Sequence, residues 1–422
     1  MGGSTVSRWG NKYVIGLTGN IAVGKSVVRQ MLQHLGAVTI DADGLAHQAM
    51  SPGAPAYKPV VETFGQIILN PDKTINRAML GSMVFSNPML LEKLEAITHP
   101  VIGGAIDTLV MRAKQKVVVI EAIKLLEGDL AKSVNEVWVV DASPKSQYAR
   151  LTGKRKMSPD DAKRRIQSQN PQEEKRAAAD VIINNDGNVE QTWQQVQAAW
   201  NKIKAKLQPK PAPDDTQPAA PTRPSKPATP PEPATPAPAQ QTTPPAPQTP
   251  AVTSGTDAID TSEINVKRGM PNHAEIIADF MRKETGNDVG RMDVIMSFGQ
   301  KSYLIAQHGD AVVGVIGWQV ENLITRADEL YVEDVPQKSS VIYALSESIE
   351  EASRELQSEV SFVFLPPDSQ ERAAVFVQAG YEMTTIEQIK IPAWREAVQE
   401  LMDEGTLVLQ KRLRDDRVLK PI

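Results

Sequence analysis

Five short runs of aliphatic and β-branched residues punctuate the first half of the chain: YVIGL, AVTID, KVVVIEA, NEVWVVDA and DVIIN. Their hydrophobicity is continuous, which suits strands buried on both faces. Between the first two, Val27, Val28, Met31, Leu32 and Leu35 recur at helical spacing. Such alternation predicts βαβ units, hence an α/β fold with a parallel sheet and helices on both faces. A second pattern starts near residue 263. A helical stretch around Ala274 to Lys283 leads to strand-like YLIAQ and AVVGVIGWQV, with His308-Gly309-Asp310 as the turn between them. ELYVED, a helical pattern from Tyr343 to Gln357, and VSFVFL follow. That is an α+β pattern on an independent core.

Composition changes the picture between the two. From Gln208 to about Thr256 the chain is Pro, Ala, Thr and Gln, with roughly half of its 31 prolines. Such a segment buries too little apolar surface to offset its ordering entropy, so a disordered linker of polyproline II character is expected. At about 3 Å per residue it would reach on the order of 100 Å. The expected organisation is a flexible leader over 1–11, an α/β domain over 12–207, a linker over 208–262, an α+β domain over 263–390 and a helical extension over 391–422. The 422 residues suit more than one core. Cysteine is absent, which excludes disulfides and thiolate chemistry. A net charge of −5 gives no argument for nucleic acid, and no apolar run is long enough to span a membrane. The N-terminus has no secretory h-region, so a cytoplasmic location is expected.

Candidate chemistry centres on GNIAVGKS, which matches G-x-x-x-x-G-K-[ST] between a buried strand and a helix. Gly19, Asn20, Ile21, Ala22, Val23, Gly24, Lys25 and Ser26 are the expected ATP-binding residues. Backbone N–H groups would cradle phosphates at the helix N-terminus. Lys25 would reach the β- and γ-phosphates, and Ser26 would ligate Mg²⁺. A kinase also needs an acceptor site. Asp41 and Asp43, at the C-terminal end of the second strand, are expected to point the same way. One would take the acceptor's proton and the other would orient magnesium or structure; a helix N-cap is the competing role. The basic stretch QYARLTGKRKMSPDDAKRRIQSQ reads as a lid, with Arg150 and Arg155 as phosphate contacts and a helix start at Ser158-Pro159. Glu121, after a hydrophobic strand, faintly resembles a Walker-B acid.

Taken together, LTGNIAVGKS, LGAVTIDADGLAH, SPGAPAY with FGQIIL, INRAMLGSMVF, LEAITHPVI, the Leu125–Glu127 stretch, QYARL and AADVIINNDG resemble bacterial dephospho-CoA kinase over about 200 residues. The resemblance implies a P-loop nucleoside-kinase-like fold. It also implies a phosphotransferase with an alcohol acceptor, phosphorylating the ribose 3′-hydroxyl of dephospho-CoA with ATP and Mg²⁺. It makes Asp43 the general base and Arg150 a phosphate-stabilising arginine, and puts Arg77, His99 and Glu127 on the acceptor side. His99-Pro100 can also be read as a packed turn. The chain departs from the family at His47, where Arg is frequent, so a weaker, pH-dependent cation is expected there. It departs again at Ile123-Lys124-Leu125, where the usual run is Pro-Leu-Leu.

The region around VVGVIGWQV, ELYVED, VSFVFL and AVFVQAGYEM, with Phe376 to Tyr381 most telling, resembles the GNAT-type acetyltransferase fold. The resemblance implies an acyl-CoA pyrophosphate loop at Gln337 to Ile342. Ser340 and Ile342 stand there where small residues belong, and Ile342 is expected to obstruct the backbone. A binding or vestigial module, for an acyl-CoA or another protein, is therefore expected. Acetyl transfer as the main activity, or a kinase for another metabolite, remain the alternatives.

Overall fold

The computed structural model describes residues 8–153, 155–169, 171–208 and 259–419. Each of the five hydrophobic runs is a strand: β1 (Tyr13–Thr18), β2 (Val38–Asp41), β3 (Val117–Glu121), β4 (Glu136–Asp141) and β5 (Val181–Asn184). They form one sheet in the order β2-β3-β1-β4-β5, every neighbouring pair parallel. Helix α1 (Lys25–His34) leaves β1, and α2 (Ala42–Ala49) leaves β2. An excursion of α3 (Tyr57–Phe64), α4 (Arg77–Phe85) and the 25-residue α5 (Pro88–Arg112) leads to β3. The short α6 (Leu130–Ser133) precedes β4. Then α7 (Pro144–Gly153), α8 (Pro159–Gln167) and α9 (Gln172–Ala177) lead to β5, and α10 (Val189–Leu207) closes the region. Leu45 of α2 with Ile106 and Leu109 of α5 packs against Val14, Ile40 and Val118 of the sheet. The strand order reverses at β1, so ligands are expected beyond the carboxyl ends of β1 and its neighbours.

The second sheet has seven strands: β6 (Ile264–Arg268), β7 (Ser302–His308), β8 (Ala311–Glu321), β9 (Ile324–Val332), β10 (Val360–Leu365), β11 (Glu382–Thr384) and β12 (Leu407–Arg412). Its order is β11-β12-β10-β9-β8-β7-β6, antiparallel except for the β9–β10 pair. The parallel pair needs a crossover, supplied by α13 (Lys338–Glu355). The α11 (Ala274–Thr285), α12 (Arg291–Ser297), α14 (Gln370–Gln378) and α15 (Pro392–Gln399) helices complete the region. Gly309, at φ 58, makes the β7–β8 turn read from His308-Gly309-Asp310.

Three expected boundaries are corrected. Trp9, inside the expected leader, is buried, and its indole N–H donates to Asp107 Oδ1 at 2.7 Å. Residues 1–7 lie outside the described residues, as does 209–258, where the linker is expected. Ile259, assigned to that linker, packs against the second core. The helical extension over 391–422 holds one helix, α15, and then a strand. β12 inserts between β10 and β11 because Val408 and Leu409 are buried in cores on opposite faces, which a one-sided helix would not provide.

The second core is not independent of the first, since both sheets fall in one compact unit. Gln357 Nε2 donates to Leu109 O at 2.7 Å, and Gln30 Nε2 to Ser302 Oγ at 2.9 Å. Arg112 pairs with Asp416 at 2.7 Å, and His34 meets Phe298 edge-on at 5.2 Å. Leu419 is buried among the residues that pack the first sheet.

Candidate functional site

The Gly19-to-Ser26 loop runs from the end of β1 into α1. Its glycines are required by close approach. A Cβ on Gly19 would lie 2.4 Å from Val140 O, and one on Gly24, at φ 97, would lie 2.1 Å from Asn185 Nδ2. Ala22, at φ 57, is held in a left-handed conformation that costs energy in a residue with a Cβ. Gly24 caps α1 with no side-chain acceptor, which leaves its N-terminus to an anion. Lys25 is buried, and its Nζ donates to Gly19 O at 3.1 Å and Asn20 O at 3.4 Å. Burial lowers its pKa, while the carboxylates of Glu121 and Asp43 oppose that. Ser26 is exposed at the start of the helix.

Arg150, on α7, is drawn onto the same loop. Its Nη1 donates to Ala22 O at 3.1 Å and Val23 O at 3.0 Å, and its Nη2 to Asn185 O. Arg155 follows α7, where its backbone N–H donates to Arg150 O at 3.3 Å, and its charge disfavours a protonated Lys25. Ser158 caps α8 as the sequence predicts, accepting from Asp161 N–H at 3.2 Å.

The two aspartates part company, because β2 ends at Asp41 and a helix begins at once. Asp41 caps α2, accepting from Gly44 N–H at 2.9 Å, which is the competing role foreseen for it. Asp43 stands in the first turn of α2, not on a strand, so strand alternation does not align the two. Its Oδ2 accepts from Ile123 N–H at 3.1 Å. Asp43 is exposed at the cleft, yet the protein around it desolvates its carboxyl enough to raise the pKa; the Ile123 N–H and the charge of Lys25 partly offset this. Glu121, at the end of β3, is buried and ion-paired to Arg29 at 2.8 Å. Burial raises its pKa, with Arg29 and Lys25 pulling it down.

Of the residues expected on the acceptor side, Arg77 opens α4 and its guanidinium lies against the His47 ring on α2. Burial and the charge of Arg77 push His47 down to about 4, so it is neutral at pH 7 and Arg77 alone is the cation. Glu127 sits 3.6 Å from Lys124, which also reaches Glu95 of α5 at 3.5 Å. His99 lies exposed within α5, not in a packed turn, one helical turn beyond Glu95 on the same face.

A family model described as dephospho-CoA kinase matches residues 13–191. The dephospho-CoA kinase of Geobacter metallireducens is 43% identical over 192 residues, covering 45% of this chain and 96% of that protein. That of Symbiobacterium thermophilum is 40% identical over 190 residues, covering 44% and 80%. The chain belongs to the dephospho-CoA kinase family. A solved dephospho-CoA kinase from Campylobacter jejuni is 28% identical, with a TM-score of 0.36, covering 47% of this chain and all of that one. An N-acetyltransferase from Thermoplasma acidophilum solved with coenzyme A covers 35% of this chain and 98% of its own, at 9% identity and a TM-score of 0.29.

Within this kinase region the structure adds residues that the sequence reading passed over. Gln169 Oε1 accepts from Ile21 N–H at 2.6 Å, and Gln172 Oε1 from Asn20 N–H at 3.3 Å, so two side chains near α8 and α9 meet the loop's amides. Asn185 Nδ2 donates to Val23 O at 2.7 Å. Lys175 is buried and donates to Ile123 O at 3.4 Å, close enough for Lys25 to disfavour its charge. The lone signal for Lys175 was a basic residue ahead of AADVIINND, which is indistinguishable from surface charge. In the C-terminal region, Gln337 to Ile342 is the start of α13 and not an open loop. Ile342 therefore faces the core, where it is 1% exposed, and does not stand over the backbone.

Proposed function

We propose that this chain transfers the γ-phosphate of ATP to the ribose 3′-hydroxyl of dephospho-CoA, giving CoA and ADP. The observation that carries the reading is the carboxylate of Asp43, fixed by Ile123 N–H just past the end of β3, beside a phosphate loop closed by Lys25 on Gly19 and Asn20. One oxygen takes the backbone hydrogen bond, and the carboxylate keeps a second for the acceptor's proton. Lys25 exchanges its carbonyl partners for the β- and γ-phosphates, and the N-terminus of α1 adds its dipole. Arg150 and Arg155 stabilise charge on the transferring group, while Arg77, His99 and Glu127 orient the acceptor. The exposed Ser26 hydroxyl at the start of α1 suits Mg²⁺, which takes few protein ligands alongside phosphates and water. When bound, the ion would offset negative charge on the phosphates. The C-terminal region gives no support to acetyl transfer as the main activity, because no glycine opens the start of α13 to a pyrophosphate.

Coupled detection of ADP with purified full-length protein, ATP and dephospho-CoA tests this. Turnover with dephospho-CoA above a panel of other nucleosides is expected, and its abolition in Lys25→Ala. No ADP release above the acceptor-free rate sinks the assignment.

A further inference from the structure

Helix α2 carries Asp43 in its first turn and His47 one turn later, and three groups from beyond residue 320 lie against it. The β8–β9 turn is tight, with Asn322 at φ 52 and Leu323 at φ 63, the second an unfavourable conformation for a branched side chain. It presses the Asn322 side chain onto Gly44, where a Cβ would lie 1.7 Å from Oδ1. That oxygen is buried without a hydrogen-bond partner. The carbonyl of Asn322 accepts from Gln48 Nε2. Further along, Glu396 of α15 sets its Oε2 at 3.2 Å from His47 Nε2, against the ring that Arg77 covers. All three groups belong to a region outside the 13–191 stretch that the family model matches.

We propose that the C-terminal region screens the acceptor site, with Glu396 acting as an intramolecular anion at the Arg77–His47 pair that an anionic acceptor must displace. The inference rests on the reading of Arg77 as an acceptor contact. Dephospho-CoA carries a pyrophosphate, so it and Glu396 compete for one positive group. The carboxylate is 58% exposed and the His47 side chain 34%, so solvent screens the contact. The competition is accordingly worth about two- to fivefold in apparent affinity.

The test is steady-state kinetics of full-length protein at saturating ATP with dephospho-CoA varied. In Glu396→Gln the KM for dephospho-CoA falls about two- to fivefold at low salt, while the KM for ATP and kcat hold. The advantage shrinks at about 0.5 M KCl, where charges beyond about 4 Å are screened. Glu396→Asp keeps the charge and stays closer to wild type. Glu371→Gln, the same charge change at the exposed start of α14, leaves KM unmoved. An active wild type whose KM is unchanged or raised by Glu396→Gln, or equally changed by Glu371→Gln, overturns the screen alone. A wild type that does not turn over dephospho-CoA removes the functional assignment and the screen with it.

Discussion

Replacing Asp43 by Asn separates chemistry from structure at the centre of the site. Asn matches Asp in size and keeps a carbonyl oxygen to accept Ile123 N–H, so the start of α2 stays in place. What is lost is the proton acceptor. Removing a positioned general base costs about 10²–10⁴ in rate, or about 2.7–5.4 kcal/mol in barrier. The expected variant binds ATP as the wild type does and loses kcat by that factor. Initial rates of ADP release across about pH 5 to 9 add a second readout. Desolvation raises the Asp43 carboxyl above its ordinary value, with Asp41 adding to the rise and Ile123 N–H, Lys25 and Lys124 opposing it. The base works ionised, so wild-type rate climbs as pH rises through that raised value, and the limb is absent in Asp43→Asn. The same shift fixes the sign for stability. A carboxyl raised in the folded state contributes stability below its unfolded value and loses it as pH rises through the folded one. At pH 7 ionised Asp43 therefore costs stability, and Asp43→Asn melts no lower than wild type. A variant that keeps more than about a tenth of kcat with its acid limb intact refutes the assignment of Asp43 as base.

Three other perturbations follow from the same geometry. Ile123→Pro removes the N–H that favours ionised Asp43, so the acid limb of the pH–rate profile moves to higher pH; an unmoved limb would show that the bond does not tune the base. Gly24→Ala drives a Cβ to 2.1 Å from Asn185 Nδ2 at a left-handed φ, so nucleotide binding by equilibrium titration weakens at least tenfold, about 1.4 kcal/mol. Arg29→Met strands the buried Glu121, lowering unfolding free energy in urea by about 3–5 kcal/mol at pH 7; the deficit shrinks on acidification, because Glu121, already raised by burial, then protonates.

The first sheet was legible because its central strands are buried on both faces, as Val117–Glu121 shows with every residue buried, although the edge strand β5 is half exposed. The phosphate loop was legible because its glycines face the Val140 carbonyl and the Asn185 side chain too closely for a Cβ. The final strand was not. Leu407–Arg412 ends in Lys411 and Arg412, and a basic end on an apolar run reads equally well as the last turn of a helix; burial on two faces, a tertiary property, decided it. Asp43 was misplaced, since a strand ending at Asp41 and one ending two residues later look alike in sequence. Lys175, Gln169 and Gln172 were not found, because a side chain's use of a distant carbonyl or amide leaves no periodic trace.

The two positions expected to depart from the family's pattern, Ile123 and His47, both act on α2. At residue 123 an isoleucine stands where the usual run has proline, and its peptide works on both sides: the N–H holds Asp43, while the carbonyl accepts Thr18 Oγ1 at 3.1 Å and Lys175 Nζ at 3.4 Å. Proline would supply the carbonyl alone. At residue 47 a neutral histidine replaces the frequent arginine, and the space beside Arg77 is met by Glu396 from the second region. Helix α2 is thus restrained at Asp43 by the kinase sheet and at Gly44, His47 and Gln48 by residues outside the 13–191 stretch that the family model matches. If Arg77 contacts the acceptor as proposed, a ligand of the C-terminal region shifts that contact only by as much as it favours one position of the β8–β9 turn and α15 over another. Coupling of that kind is reciprocal: an acceptor that displaces Glu396 must weaken or strengthen whatever the second region binds by the same factor.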